Sequence, residues 1–157
     1  MNNVHYSSKT VEWETPQWFF DKLNEEFRFT LDAAANHTNR KCEKYLTEDQ
    51  NGLDADWHGT VWLNPPYGRE IGKWVDKAMA EAVKGSTVVC LIPAKTETRW
   101  WAKFWDYEKH RPVEGCEVRF IFKRLQFGNS GINAPFPCAV VIFRSHPGLD
   151  STSDEQL

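Results

Sequence analysis

Residues 60–92 read TVWLNPPYGREIGKWVDKAMAEAVKGSTVVCLI, and this stretch decides the fold class. TVWL (60–63) and TVVCLI (87–92) are short apolar runs typical of strands. The second run lacks alternation, as expected for a strand that is buried on both faces. Between the two runs, apolar side chains recur on one face of a helix that ends at Gly85. These helical positions are Ile71, Trp74, Val75, Ala78, Met79, Ala82 and Val83.

The rest of the chain continues this alternation of strands and helices. Thr15 and Pro16 predict the start of a helix through QWFFDKLNEEF, because a hydroxyl cap followed by Pro is typical of a helix N-terminus. A third helix is expected at 97–106, and strands are expected at 28–33, 43–46, 117–122 and 138–143. We therefore expect one α/β domain over residues 11–144, with a mostly parallel sheet flanked by helices. Residues 1–10 form a polar arm and 145–157 a polar tail.

Composition excludes several classes of protein. The 157 residues are 41% hydrophobic and 26% charged, which excludes a disordered or fibrous chain. The longest apolar run, at 138–143, is far shorter than the roughly 20 residues of a membrane span. Residues 1–10 lack the apolar stretch of a secretory signal, so a cytoplasmic protein is expected. The four cysteines are far apart, which predicts reduced thiols and no metal site.

Charge is distributed unevenly along the chain. Residues 11–58 contain five Lys and Arg against eleven Asp and Glu, whereas residues 84–124 contain nine against five. The second region is compatible with a nucleic-acid partner, although the net charge of -3 argues against a general polyanion binder.

The sharpest chemical signal is the segment Asn64-Pro65-Pro66-Tyr67-Gly68, which follows the TVWL strand directly. The carboxyl end of a strand is where open α/β sheets bind their ligands. Each Pro keeps the residue before it extended, which makes the turn stiff. The side-chain oxygen of Asn64 and the carbonyl of Pro65 can then accept from one planar amino group, while Tyr67 offers a face to a heterocycle. Such an arrangement suits methylation of an amine. The alternative is that Asn-Pro only initiates a connecting turn.

Several elements in the same order resemble the small DNA N6-adenine methyltransferases of phages and prophages. The matching elements are Glu14 to Phe20 (ETPQWFF), Leu31 to Ala35 (LDAAA), Asp49 to Leu53 (DQNGL) with Trp57, Asn64 to Tyr67 (NPPY), Leu91 to Ala94 (LIPA) and Ala134 to Pro137 (APFP). The resemblance covers residues 12–144. It implies a Rossmann-like methyltransferase domain that transfers a methyl group from S-adenosylmethionine to N6 of adenine in double-stranded DNA, in the host cytoplasm for a phage-encoded enzyme. It also implies catalytic roles for Asn64, Pro65, Pro66 and Tyr67.

The same resemblance implies the cofactor site. Its candidate residues are Thr15, Pro16, Asp32, Ala33, Ala34, Asn36 and Asp49. Asp32 would accept from the cofactor ammonium and Asp49 would read its adenine. Residues 32–40 contain no Gly, however, whereas many methyltransferases have a glycine-rich motif there. The alternatives are a small-residue turn at 32–36 and a turn-capping role for Asp49 beside Asn51-Gly52.

Basic residues interleaved with tryptophans are the candidates for DNA contact. The cations are Lys95, Arg99, Lys103, Arg111, Lys123 and Arg124, with Lys109 and His110 nearby, and the tryptophans are Trp100, Trp101 and Trp105. Phosphates require cations, and flat side chains can fill the gap left by an extracted base. The alternative is a helix that packs its tryptophans inward. For the whole chain, the rival functions are methylation of cytosine N4 or of a protein glutamine amide, and a DNA-binding module without catalysis.

Overall fold

The computed structural model describes residues 14–128 and 133–145. Within these ranges the chain forms two α-helices and seven strands. The helices are α1 (Gln17–Phe27) and α2 (Ile71–Val83). The strands are β1 (Leu31–Asp32), β2 (Thr60–Leu63), β3 (Thr87–Pro93), β4 (Trp105–Asp106), β5 (Arg111–Pro112), β6 (Cys116–Phe120) and β7 (Cys138–Phe143).

Five strands form one mixed sheet in the order β1-β2-β3-β7-β6. The pairs β1/β2 and β2/β3 are parallel, whereas β7 is antiparallel to both β3 and β6. The expectation of a mostly parallel sheet is therefore not confirmed, because half of the pairings are antiparallel. The reason is that β7 follows β6 in sequence and pairs with it directly, without the helical crossover that a parallel pair requires.

The two helices cover opposite faces of this sheet. Side chains alternate between the faces, so Val61 and Leu63 of β2 contact one hydrophobic cluster and Trp62 the other. The first cluster includes the buried face of α2, and the second includes Phe20 and Leu23 of α1. Because both faces are covered, β3 and β7 are apolar without alternation.

Most predicted elements are confirmed. Both α1 and α2 lie where the sequence places them, and β2, β3 and β7 match their predicted runs. The predicted cap of α1 is wrong, because Pro16 lies at the N-cap position and the Thr15 hydroxyl accepts from Asn64 instead of capping the helix. The strand predicted at 28–33 is reduced to Leu31–Asp32, because Arg28 adopts a left-handed conformation after α1. The strand predicted at 43–46 is a single bridge between Tyr45 and Asp32. The strand predicted at 117–122 is β6, which begins and ends slightly earlier.

The helix predicted at 97–106 is wrong. This segment contains turns, a short 3-10 helix at Trp101–Lys103 and the strand β4, which forms a hairpin with β5. The Thr98 hydroxyl donates to the Lys95 carbonyl and accepts from the Trp101 N–H. A side chain thus replaces backbone bonds that would continue a helix.

The predicted arm at 1–10 lies outside the described residues, as does the tail beyond residue 145. In the described ranges, no helix combines the length and the apolar character needed to cross a membrane.

Candidate active site

Most of the candidate residues lie in loops at one edge of the five-stranded sheet. β1, β2, β3 and β6 end at this edge, and β7 begins there, because β7 runs opposite to its neighbours. The Ala94 N–H donates to the Pro137 carbonyl at 2.8 Å, which joins the segment after β3 to the segment before β7. This bond connects two of the loops at this edge.

Asn64 follows the last residue of β2 and is fixed by a residue far away in sequence. Its Nδ2 donates to Thr15 Oγ1 at 2.9 Å, and Thr15 is buried just before α1. Since the nitrogen end of the amide donates to Thr15, the oxygen end points away from Thr15. Pro65 is buried and Pro66 is exposed, so the turn is anchored on one side and open on the other.

Tyr67 is held at both ends of its side chain. Its hydroxyl donates to the Leu91 carbonyl of β3 at 3.0 Å, and burial of that hydroxyl raises its pKa well above the ordinary value. Phe136 and Phe127 contact the ring edge to face, with centroids at 5.5 and 6.4 Å. The residue as a whole is only partly buried. The ring is therefore rigid but accessible in part.

Asp32 ends β1 and is 2% exposed. One carboxylate oxygen accepts from the Ala34 N–H at 3.3 Å, and the other accepts from the Lys41 N–H at 3.0 Å. Burial raises the pKa of this carboxyl to about 6, although both backbone bonds act to lower it. The carboxylate thus fixes the loop after β1 and is poorly stabilised as an anion.

The small residues after Asp32 have separate environments. Ala33 is fully buried in the core, and its N–H donates to the Trp62 carbonyl of β2. Ala34 is partly buried. Asn36 is exposed, and its Oδ1 accepts from the backbone N–H groups of Thr38 and Asn39, which closes a local turn. Pro16 is partly buried and directly precedes α1.

The loop at 47–57 reaches the same edge through Gly52. A Cβ atom there would lie 2.3 Å from the Ala33 carbonyl oxygen, so only Gly permits this approach. The Trp57 indole donates to the Gly52 carbonyl at 2.9 Å. The left-handed residue of the turn is Asn51, not Gly52. The sequence indicated a turn here but missed the contact with β1.

Asp49 lies in this loop with an exposed side chain. The capping role that was the alternative for Asp49 is filled by its neighbours. Gln50 Oε1 accepts from the Thr47 N–H at 2.8 Å, and Asn51 Oδ1 accepts from the Leu53 N–H at 3.2 Å. Among the described residues, no hydrogen bond to the Asp49 carboxylate is found, so the carboxylate is available to a ligand.

The basic candidates between β3 and β6 divide into two groups. Lys95 and Arg99 are exposed in the loop after β3. Arg111, Lys109 and His110 are exposed at or beside the tip of the β4–β5 hairpin. The Tyr107 hydroxyl at that tip donates to the Thr96 carbonyl, which brings the tip to the loop after β3. Lys103 differs, because its ammonium forms an ion pair with Asp76 of α2.

Lys123 and Arg124 are exposed in the loop after β6. Lys123 has a positive φ of 65°. Of the interleaved tryptophans, Trp101 is buried against Phe104, whereas Trp100 and Trp105 are partly buried.

The four cysteines lie among the described residues and are free thiols. Burial raises the pKa of Cys42, Cys116 and Cys138 to about 12. No group of three or more potential ligand side chains that could hold a metal ion occurs in the described part of the chain.

Two curated phage proteins resemble the chain. The DNA N-6-adenine-methyltransferase of Haemophilus phage HP1 (strain HP1c1) is 36% identical over 104 residues, which cover 64% of this chain and 59% of that protein. The DNA N-6-adenine-methyltransferase of Escherichia phage T1 is 34% identical over 94 residues, which cover 58% of this chain and 39% of that protein. The chain thus spans about half the length of these relatives. The model of the DNA N-6-adenine-methyltransferase (Dam) family matches residues 4–145, and the chain therefore belongs to this family.

Proposed function

We propose that the chain methylates the N6 amino group of adenine in double-stranded DNA with S-adenosylmethionine as the methyl donor. The observation that carries the proposal is the position of Asn64. Its side chain lies at the carboxyl end of β2 and is oriented by a hydrogen bond to the buried Thr15. The phage relatives bear the corresponding name. We further infer that residues 11–144 form a Rossmann-like methyltransferase domain, which is supported by a sheet covered on both faces and by candidate residues gathered at one of its edges.

The chemistry requires control of a weak nucleophile. The lone pair of an exocyclic amine is delocalised into its ring, so the amine attacks poorly while it stays planar. The Asn64 side-chain oxygen and the Pro65 carbonyl would accept from its two N–H bonds and favour a tetrahedral nitrogen. Pro66 would keep the turn extended, and Tyr67 would stack on the adenine. Positioning of amine and methyl group in line is the main contribution to the rate.

The cofactor is S-adenosylmethionine, which supplies an electrophilic methyl group on its sulfonium when it is bound. The buried carboxylate of Asp32 would accept from an ammonium group, because burial raises its pKa and a bound cation would stabilise the anionic form. The exposed carboxylate of Asp49 fits a purine amino group. The other proposed contacts are Thr15, Pro16, Ala33, Ala34 and Asn36.

DNA would lie across the loops after β3 and β6. The cations proposed to contact phosphates are Lys95, Arg99, Arg111, Lys123 and Arg124, all of which are exposed. Lys103 is a weaker candidate than the sequence indicated, since a phosphate would have to compete with Asp76.

The test is to incubate the protein with S-adenosylmethionine labelled in its methyl group and with unmethylated DNA, and then to identify the labelled nucleoside. Label in N6-methyladenine supports the proposal. Label in N4-methylcytosine, or in protein added to the reaction, would replace it with one of the rival methylations. Absence of transfer and of cofactor binding would leave a DNA-binding module without catalysis. Asn64→Ala is the matched control, because it alters the site and not the cations.

A further inference from the structure

The loop after β6, residues 121–124, carries an aromatic ring that packing does not explain. Phe122 is 88% exposed, the highest exposure among the large hydrophobic side chains of the described residues. Its neighbour Phe120 is also exposed, but the Phe120 ring contacts Trp101 and Trp105. The Phe122 ring therefore points into solvent, whereas the ring of Phe120 at the end of β6 has aromatic partners.

This loop is anchored to the structure that holds Tyr67. The Ile121 N–H donates to the Cys138 carbonyl at the start of β7. After the loop, the Leu125 carbonyl accepts from the Ala134 N–H at 2.8 Å, and Leu125 is buried. Phe127, two residues further on, contacts the Tyr67 ring. Phe122 thus lies on the sheet edge that also carries the Asn64 to Tyr67 turn.

The shape of the loop is defined by its backbone. Lys123 adopts φ of 65°, a left-handed conformation that is unfavourable for a residue with a side chain. Such conformations persist where the surroundings impose them, and they cluster at functional sites. The Lys123 ammonium lies 5.6 Å from the centre of the Phe122 ring. The turn therefore presents a ring and a cation side by side.

The charge around the loop favours a polyanion. Residues 118–149 contain no Asp or Glu. Two arginines of this stretch, Arg119 and Arg144, are paired with Glu26 and Glu117. Lys123 and Arg124 form no salt bridge with any residue in the described ranges. Exposed cations beside an exposed ring are the combination that binds phosphates together with unstacked bases.

We propose that Phe122 enters the base stack of the DNA and fills the gap that the target adenine leaves when it turns out of the duplex. Lys123 and Arg124 hold the neighbouring phosphates. Apolar side chains such as Phe act as wedges between base steps in other DNA complexes, and a turned-out base costs unstacking and unpairing energy. This role rests on the proposed function, because a base must leave the duplex only if chemistry is done on it.

The test compares two duplexes that differ at one position. The adenines methylated by the wild-type protein are mapped first, and one such site is placed in a fully paired duplex and in a duplex with a mismatch opposite the target. Methyl transfer is measured for the wild type, for Phe122→Ala and for Phe120→Ala. The last variant is the matched control, since it removes an exposed ring that has partners inside the protein. Thermal unfolding verifies that each variant is folded.

Phe122→Ala is expected to lower kcat/KM on the paired duplex by about 10-fold to 100-fold and on the mismatched duplex by less than about threefold. Phe120→Ala is expected to change the ratio between the two duplexes by less than about twofold. An equal loss on both duplexes, or no loss on the paired one, overturns the wedge role. A change of oligomeric state in solution, seen when Phe122→Ala is compared with the wild type, also overturns the wedge role. It would make Phe122 a contact between subunits. A wild-type protein that transfers no methyl group to adenine overturns the proposed function itself, before any variant is compared.

Discussion

The two sides of the sheet edge differ in how their loops are held. On the acidic side, residues 33–59 between β1 and β2, polar side chains bind the backbone of their own loop. The basic side consists of the loops at 94–100, 121–128 and 133–137. These loops contain four cationic side chains and one carboxylate, and two of them are anchored by the aromatic contacts of Phe127 and Phe136 with Tyr67. The acidic side is thus preformed and suits a small cationic ligand, whereas the basic side presents charge to solvent and suits a polyanion. Asn64 to Tyr67 lie between them.

The largest expected effect lies at the boundary of the two sides. Asn64→Ala removes the acceptor proposed for the target amine and the donor to Thr15. Methyl transfer is expected to fall by about 1,000-fold, the scale on which preorganised polar groups act. Affinity for S-adenosylmethionine, measured by calorimetry, should stay within about twofold of the wild type, since the proposed partner of Asn64 is the target amine and a twofold change is under 0.5 kcal/mol. Near-normal turnover by Asn64→Ala would contradict the proposal that the protein is an amino-methyltransferase.

The second effect concerns the acidic side and depends on pH. Because the pKa of Asp32 is raised from 3.8 to about 6, the folded chain binds this proton more tightly than the unfolded chain does. This contribution to stability is complete below about pH 4 and is lost as the pH rises through 6. The free energy of unfolding of Asp32→Asn relative to wild type should therefore rise by about 2 kcal/mol between pH 4 and pH 7. Denaturant unfolding at both pH values measures it.

The Asp32→Asn variant is compared with the wild type because other carboxyl groups of the chain also titrate between these pH values. Glu26 and Glu117 lie next to Arg119 and have lowered pKa values. Their contribution to the stability of the fold is therefore lost as the pH falls, which is the opposite of the Asp32 effect. Both are present in the wild type and in the variant, so their effects cancel. A difference that does not vary with pH would show that the Asp32 carboxylate is not buried as an anion at neutral pH.

The third effect tests how the acidic side closes on β1. Gly52→Ala would place a Cβ atom 2.3 Å from the Ala33 carbonyl and 2.9 Å from the Trp74 ring. Both neighbours are buried, so the variant is expected to lose about 1–3 kcal/mol of stability, the range for overpacking. Chemical denaturation gives the value, with Gly72→Ala as the control, since its nearest contact would be at 3.6 Å. Equal stability of both variants would contradict the close approach.

The fourth effect separates the hydroxyl of Tyr67 from its ring. Tyr67→Phe removes the hydrogen bond to the Leu91 carbonyl and should destabilise the fold by about 1 kcal/mol. Turnover should change little at temperatures where the variant is folded, because the Phe127 and Phe136 contacts remain. Tyr67→Ala, which also loses the ring, is the comparison. If both variants lost turnover equally, the hydroxyl and not the stacking face would be the functional group.

The smallest effect sharpens the description of the basic side. Arg124→Ala should make the slope of log affinity for DNA against log salt less negative by about 0.9, the value for one phosphate contact in duplex DNA. Lys103→Ala should leave the slope unchanged, because the Lys103 charge is paired with Asp76. Fluorescence anisotropy with one labelled duplex at several salt concentrations measures both. Equal slopes for both variants would contradict the division of the cations into paired and unpaired groups.

The sequence predicted long and strongly patterned elements well and short ones poorly. The helix α2 and the strands β2 and β3 were predicted because their apolar spacing is dictated by burial on the sheet. The segment 97–106 was predicted as a helix, but the Thr98 hydroxyl bonds to the Lys95 carbonyl and the Trp101 N–H, and the segment forms turns, a short 3-10 helix and β4. Such local competition depends on one side-chain rotamer, which a spacing pattern does not contain.

The sequence by itself determined the family, the turn at Asn64 to Tyr67 and the residue types of the candidate sites, because these depend on the order of residues along the chain. Only the tertiary structure decided which of them meet. Thr15 forms a hydrogen bond with Asn64 across 48 intervening residues, and Gly52 packs closely against the Ala33 carbonyl. The Lys103 charge is paired with Asp76. The physical reason is that these contacts are set by strand order and by packing between layers, and both depend on the whole folded chain.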